Sequence, residues 1–319
     1  MAEGKGSKIK LFLAKIKNSF ENKLDLILSE PHNAFLKGLL FGERESLPAD
    51  LVLNFQRTGT THIVALSGYN ITLLARFFLI VLLYLTVPYY LSFWVASLAI
   101  ILFVVMVGAS PSVVRAAIMG ILVLLAGREG RSYHITNALV FAGALMLWQN
   151  PKILRFDAAF QLSFLATLGL VYVSPLLEKL FQRRHSGLRT EKEHLFLSFK
   201  KIFIETISAQ FAVLPLLIYL FGQVSLVSPL VNVLILLAVP YVMAVGFAAA
   251  ASAFIFYPLG QILGWAAWVL LEYKIRIISL FAGLPLAFVQ VSGWAWAILI
   301  IFYIFLLGVF IKMFMRARS

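Results

Sequence analysis

The sequence predicts an all-α polytopic membrane protein, with an N-terminal amphipathic helix followed by about eight to ten transmembrane or half-spanning helices. Hydrophobic residues make up 61% of the 319 positions, and charged residues only 13%. Arg115 is the only charged residue between Phe77 and Gly127, and none lies between Thr206 and Leu271. The apolar residues form continuous runs, which are typical of membrane helices and not of the alternating strands of a β-barrel.

The net charge of the chain and its lack of cysteine limit the kinds of ligand and site that it can have. The formal net charge of +13 indicates first a positive-inside bias of cytoplasmic loops, and second a polyanionic cargo or anionic lipid. Residues 182–201 are the strongest candidate for a cytoplasmic loop. Without cysteine the chain has no disulfide framework, thiolate metal site or cysteine nucleophile.

Three regions follow from the distribution of polar residues. Residues 1–30 have a disordered start and then an amphipathic helix from Lys8 to Leu28, which is too polar to span. We expect this helix at the membrane interface, although packing on the protein's own surface fits the pattern equally well. Residues 31–281 form the transmembrane core, and residues 282–319 form a final transmembrane helix with a basic tail.

Two short helices are predicted before the first span. Residues 35–41 are mostly apolar, and Gly42 ends this short helix. Residues 46–50 are typical of a helix start, with the Ser46 hydroxyl as the cap and a proline near the first turn. This second helix continues to a break at Gly59.

The remaining apolar stretches are predicted as membrane segments separated by glycines, prolines and charged residues. Residues 224–257 are either one long tilted span or two short spans that divide near Pro240. Backbone groups freed at breaks inside a membrane need a neighbouring helix or water. The predicted segments are 71–87, 91–107, 113–126, 135–148, 158–177, 202–221, 224–257, 259–281 and 294–311. The predicted hinges or helix breaks are Gly59, Gly68, Pro111, Pro215 and Pro240.

Polar side chains within these oily segments are the candidates for function. An unpaired polar group in hydrocarbon costs several kcal/mol, roughly, so it must pack against protein or face a water-filled path. The stretch from Arg57 to Arg76 concentrates such groups and is broken twice. The candidate path-lining residues are Arg57, His62, Ser67, Asn70, Arg76, Ser110, Ser112, Arg115, Asp157, Gln161, Ser163, Gln210 and Asn232.

Structural roles compete with a lining role at most of these positions. Arg115 could form an ion pair with Asp157, and Asp157 could instead cap the helix that follows it. Arg76 could extend to the interface, and His62 could be a packing histidine. The amides and hydroxyls at Gln161, Ser163, Gln210 and Asn232 could join neighbouring helices.

Four motifs in order resemble the ComEC-type competence channels, the inner-membrane DNA uptake proteins. The resemblance covers roughly residues 30–260. It departs from the family pattern at Asn70, where the family usually has histidine. The first motif is FQRTG at 55–59 together with HIVALSG at 62–68, and GLLFGER at 38–44 stands ahead of it. The second is SPSVVRAAIM at 110–119, and the third is FQLSFLA at 160–166. The fourth consists of AQ at 209–210, LP at 214–215, FG at 221–222 and the segment 232–240.

The resemblance implies a multi-pass protein of the cytoplasmic membrane that conducts single-stranded DNA during natural transformation. It also implies an extracytoplasmic DNA receptor and nuclease and a cytoplasmic ATP-driven motor as partners. Assembly as a homo-oligomer is a separate option that the sequence leaves open. We expect neither of the soluble domains of larger family members in this chain, no enzymatic activity and no cofactor. The alternatives are a secondary transporter of a small anion, and an intramembrane enzyme with His62 and Ser67, whose spacing is off one helical face.

Overall fold

The computed structural model of the chain is almost entirely helical, which confirms the predicted fold class. It describes residues 8–64, 70–71, 73, 82, 84, 86–181, 191–285, 287–291, 297 and 301–304. The helices are α1 (Lys8–Ile27), α2 (His32–Phe41), α3 (Ala49–Arg57), α4 (Thr61–Val64), α5 (Tyr89–Met106), α6 (Pro111–Arg128), α7 (Ile135–Gln149), α8 (Ile153–Phe156), α9 (Ala158–Leu168), α10 (Ser174–Phe181), α11 (Glu191–Phe221), α12 (Ser228–Leu236), α13 (Val239–Ile255) and α14 (Tyr257–Ala282). A π-helical turn, Gly169–Val173, joins α9 to α10.

Three described helical stretches are long and apolar enough to cross a membrane. They are Pro111–Arg128, Ala158–Lys179 and Phe199–Phe221. A fourth candidate is the pair α12 and α13, which is bent by 44° at a short break. Leu91–Met106 and Ile135–Gln149 are apolar but shorter. The predicted segments 71–87 and 294–311 lie largely outside the described residues.

Two of the three predicted proline breaks coincide with the start of a helix, and the third does not interrupt its helix. Pro111 and Pro240 stand in the first turn of α6 and α13, where a missing backbone N–H removes no intrahelical bond. Pro215 lies inside α11. The α3 start differs from the prediction, because Pro48 is the capping residue and no side chain caps the helix, so Ser46 is not the cap.

A two-stranded antiparallel sheet corrects the predicted start of the 224–257 segment, whose two helices divide near Pro240 as one alternative predicted. Strand β1 (Gln223–Ser225) pairs antiparallel with β2 (Phe288–Gln290), with Ser225 opposite Phe288. The Ser225 hydroxyl donates to the Ala287 carbonyl at 3.1 Å. The apolar run therefore begins with a strand, and its first helix starts only at Ser228.

The largest core forms where α1, α2, α3, α12, α13 and α14 meet. All residues of α2 are buried, and Phe35 packs edge to face on Phe55 at 5.2 Å. Polar contacts cross this core, because His32 meets Glu272 at 2.8 Å and Arg276 donates to the same carboxylate at 2.6 Å. The structure thus joins the start of the chain to α14 by packing and by hydrogen bonds.

Helix α1 is docked by its C-terminal half. Phe20 stacks on Phe247 at 5.4 Å, and Leu24 and Ile27 are buried. Gly264 of α14 lies so close to Ile27 that a Cβ added there would stand 2.0 Å from the Ile27 side chain. The packing alternative therefore describes this half of α1, and the placement of residues 1–30 at the membrane interface stays a prediction.

Docking of α1 brings Glu21 close to a second acidic side chain. Burial, together with a hydrogen bond to Glu43, raises the pKa of Glu21 to about 7, and the Lys17 ammonium 3.3 Å away opposes the rise. A carboxyl group with a raised pKa favours the folded state while it is protonated. Its contribution is fully present below its ordinary pKa of 4.5 and is lost as the pH rises through about 7.

We expect the melting temperature of the detergent-solubilised protein to fall between pH 5 and pH 8, and Glu21→Gln to flatten this dependence. The amide keeps the size of the side chain but cannot lose a proton. Melting curves of both proteins across this pH range make the comparison. Equal slopes for wild type and Glu21→Gln would show that Glu21 does not titrate in the folded protein.

Candidate functional site

Four predicted residues come together where α3, the two-stranded sheet, α11 and α12 meet. We call this group the junction cluster. It consists of Arg57, Gly59, Gln210, Ser225, Ser228, Asn232 and Phe288.

Gly59 allows the closest approach in the junction cluster. Its φ of +65° is a left-handed conformation that side-chain-bearing residues rarely adopt, and a Cβ there would lie 3.0 Å from both Ser225 and Ser228. The flanking threonines, Thr58 and Thr60, are fully buried and their hydroxyls are 2.8 Å apart. The break predicted at Gly59 is therefore a fixed turn, and it packs the end of α3 against the two-stranded sheet and the start of α12.

The side-chain amides of Gln210 and Asn232 belong to the cluster, and in each the nitrogen is hydrogen-bonded while the oxygen is not. Gln210 donates from Nε2 to the Ser225 carbonyl at 3.2 Å, and Asn232 donates from Nδ2 to the Ser228 hydroxyl at 3.2 Å. Gln210 Oε1 and Asn232 Oδ1 are buried and form no hydrogen bond with a described residue. Since a buried acceptor without a partner costs about 1–3 kcal/mol, both oxygens are suited to meet a polar ligand or water.

Arg57 adds a cation to the same place. Its guanidinium carbon lies 5.7 Å from the centre of the Phe288 ring, a cation–π contact, and its buried Nε forms no hydrogen bond with a described residue. Arg57 makes no ion pair with a carboxylate in the described part of the chain. The cluster therefore offers an unneutralised cation, an aromatic ring and two amide oxygens.

Arg115 lies in a second cluster, between α6 and α9. It is 9% exposed, donates to the Thr167 hydroxyl and lies 5.8 Å from the ring centre of Phe164. Thr167 in turn donates to the Ser163 carbonyl at 2.9 Å. Arg115 is therefore held by a hydroxyl and a ring, and the ion pair with Asp157 that the sequence left open is not formed.

Several predicted residues have local structural contacts. Asp157 caps α9 by accepting a hydrogen bond from the Phe160 backbone at 2.8 Å, as its position predicts. Gln161 donates to the Leu154 carbonyl at 2.8 Å. The Ser110 and Ser112 hydroxyls are 3.4 Å apart just before and within the first turn of α6.

The stretch from Arg57 to Arg76 is described only in part. His62 lies beside the junction cluster, with Nδ1 3.2 Å from the Gly59 carbonyl. Asn70 is buried and donates to the Leu39 carbonyl of α2 at 3.2 Å. Ser67, Gly68 and Arg76 lie outside the described residues.

Some of the predicted residues therefore meet in two separate groups, and the other described ones lie outside both. Arg57, Gly59, Gln210 and Asn232 meet at the junction, with His62 beside it, and Arg115 and Ser163 meet between α6 and α9. A cavity of about 570 Å³ lies elsewhere, between the end of α1 and α14, and is lined in part by Trp265 and Trp268. The assignment of all thirteen polar residues to a DNA path stays a prediction.

Sequence reasoning missed the residues that complete both groups. Ser225, Ser228, Phe288 and Thr167 are common residues in apolar surroundings, with nothing in their local pattern to single them out, and Phe164 lies in the 160–166 motif but was not a candidate. The contact of Arg57 with Phe288 joins positions far apart in the chain. The pairing of β1 with β2 contributes to this contact, as does the packing of α3 on α14, the helix that precedes β2.

A matched pair of glycine variants tests the close approach at the junction. Gly59→Ala and Gly130→Ala both place alanine at a positive φ, which costs about 1–2 kcal/mol. Only Gly59→Ala also meets side chains, because a Cβ at Gly130 finds nothing within 4 Å. We expect Gly59→Ala to destabilise the protein by about 1–3 kcal/mol more than Gly130→Ala, measured as the free energy of unfolding in detergent. Equal losses of stability in the two variants would show that Gly59 is not in tight contact with Ser225 and Ser228.

Comparison with known proteins assigns the chain to a family. The family described as "Competence protein" matches residues 39–316. No solved structure matches the chain.

Two relatives show how much of a longer protein this chain resembles. ComE operon protein 3 of Bacillus subtilis (strain 168) is 27% identical over 216 residues, which are 68% of this chain and 25% of that protein. An uncharacterized protein of Aquifex aeolicus (strain VF5) is 32% identical over 143 residues, or 42% of this chain and 32% of that protein. The chain thus spans about a quarter to a third of the length of these relatives. Because the family match covers most of its residues, the chain belongs to the Competence protein family, the ComEC-type membrane proteins.

Proposed function

We propose that this chain is the membrane-embedded part of a DNA-uptake system and conducts single-stranded DNA across the cytoplasmic membrane. Competence is the capacity of a cell to take up DNA, and membership of the family supports this role. The observation that carries the proposal is the junction cluster, where Arg57, Gln210 and Asn232 each keep a buried polar atom without a hydrogen-bond partner among the described residues.

A path for single-stranded DNA needs features that the junction cluster offers together. Phosphates require cations or dipoles to offset the loss of water, and bases need surfaces that accept any sequence, which aromatic rings provide. The binding must also be weak enough for the strand to leave. Arg57 beside Phe288 supplies one charge and one ring, and the two amides supply neutral polar groups, so the site attracts the strand without forming a deep trap.

Arg115 is the second contact that we assign to this path. It stands on α6 beside α9, and both helices belong to stretches long enough and apolar enough to span a membrane, Pro111–Arg128 and Ala158–Lys179. A buried arginine without a carboxylate partner is expensive in a membrane, which favours a functional role. Its Nε is buried and has no hydrogen-bond partner among the described residues.

We assign the force that moves the DNA strand to other proteins. The sequence lacks a P-loop, so we assign pulling to a cytoplasmic ATP-driven motor, and delivery of the strand to an extracytoplasmic receptor and nuclease. The chain itself is assigned conduction and no covalent chemistry. Assembly as a homo-oligomer is part of the same proposal.

A secondary transporter of a small anion is the second candidate. The bent pair α12 and α13, with its 44° break, favours it, because discontinuous helices commonly present their ends to a solute in transporters. Such a transporter would show saturable flux of a small anion into proteoliposomes. The DNA channel would not carry that flux.

Substitution of Arg57 tests the proposed function in competent cells. We expect Arg57→Gln to lower the transfer of labelled DNA into the cytosol by about tenfold or more, since a hydrogen bond to a charged group contributes about 1.5–3 kcal/mol. Arg57→Lys keeps the charge and should retain part of the transfer. Arg155→Gln, which removes an exposed arginine outside both clusters, is the control.

The measurement compares imported label with label bound at the cell surface, and immunoblots and melting curves confirm that each variant is folded and present. A folded Arg57→Gln protein that imports DNA at the wild-type rate would remove the junction cluster from the path. Loss of import with intact surface binding would support the assignment.

A further inference from the structure

We propose that the N-terminal half of α1 binds the surface of an anionic phospholipid bilayer. This half carries a row of apolar side chains that the rest of the described structure leaves uncovered. Ile9 is 59% exposed, Phe12 is 62% exposed and Ile16 is 36% exposed. Their spacing of three and four residues places them on one side of the helix, and we call them the α1 lipid face.

Lysines surround the α1 lipid face without acidic partners. Lys8, Lys10 and Lys15 are exposed and form no ion pair with a described carboxylate. The first acidic residue of α1 is Glu21, in the half that is docked on the protein. An uncovered apolar row flanked by lysines complements an anionic bilayer, where acyl chains take the apolar side chains and headgroup phosphates take the ammonium groups.

The docked half of α1 holds this face in a fixed direction. Leu13 is buried beside the α1 lipid face, and farther along Phe20 packs on Phe247 and Phe254 of α13. Because α13 belongs to the bent pair that together is apolar enough to cross a membrane, α1 is attached to the side of a membrane segment. The lipid face therefore lies next to the bilayer without any rearrangement of the core.

Nucleic acid fits this surface less well than lipid. Phosphates of DNA could pair with Lys8, Lys10 and Lys15, but the α1 lipid face would then remain in water. A bilayer satisfies the lysines and the apolar row together. The inference concerns α1 alone and does not depend on the junction cluster.

The absence of cysteine allows a direct test in the full chain. Phe12→Cys and Asn18→Cys each receive the fluorophore NBD, and the labelled proteins are placed in nanodiscs of phosphatidylcholine with or without phosphatidylglycerol. Asn18 is exposed on the polar side of α1 and serves as the matched control. We expect a blue shift and stronger emission at position 12 when phosphatidylglycerol is present, and water-like emission at position 18 in both lipids.

Charge variants test the lysines. In the triple variant Lys8→Gln, Lys10→Gln and Lys15→Gln, we expect the lipid-bound population of α1 in anionic nanodiscs to fall on the order of a hundredfold relative to the unbound one. The control triple, Lys152→Gln, Lys179→Gln and Lys201→Gln, removes the same charge from exposed sites elsewhere and should leave the emission unchanged.

Three results would overturn the proposal. The first is water-like emission at position 12 in both lipids. The second is an equal response of the two triple variants. The third is a blue shift at position 12 that requires a single-stranded oligonucleotide instead of anionic lipid, which would assign α1 to nucleic acid.

Discussion

The geometry of the junction cluster depends on the close approach of the turn between α3 and α4 to the two-stranded sheet and the start of α12. Only a glycine at position 59 combines a φ of +65° with a separation that leaves no room for a side chain beside Ser225 and Ser228. This contact brings Arg57 to Phe288, and it places the end of an N-terminal helix beside elements formed late in the chain. Without it, Arg57 would not share a site with Gln210 and Asn232.

Burying an unpaired polar group in hydrocarbon costs free energy, and different polar residues of the protein find different partners. Asp157 is satisfied by capping a helix, and Gln161 by a carbonyl of the preceding turn. His32 Nε2 contacts Glu272, although the buried His32 Nδ1 has no partner among the described residues. The junction cluster and Arg115 also retain buried atoms without a described partner, as does Lys274 in the core. What distinguishes the junction cluster is that a cation, an aromatic ring and two unpaired amide oxygens lie together there.

The sequence predicts well those features that depend on local patterns. The helical character follows from continuous apolar runs, the break between α5 and α6 from Gly108 to Pro111, and the cap at Asp157 from an acidic residue ahead of an apolar run. Features that depend on distant pairing were missed. The strands β1 and β2 are three residues each and more than sixty positions apart, so no turn signal marks them. The same reason applies to the predicted polar residues, because the structure brings some of them into two clusters and places Asn70, Asp157 and Gln161 elsewhere.

The central claim is that a DNA strand passes the junction cluster, and photo-crosslinking tests it most directly. A photoreactive phenylalanine derivative replaces Phe288, and a labelled DNA strand is held partway through uptake by a bulky group at its trailing end. We expect crosslinks from position 288 to the strand and none from position 255, where the side chain of Ile255 is 91% exposed on α13. A strand that enters the cell but never crosslinks at position 288 would show that DNA does not pass the junction cluster.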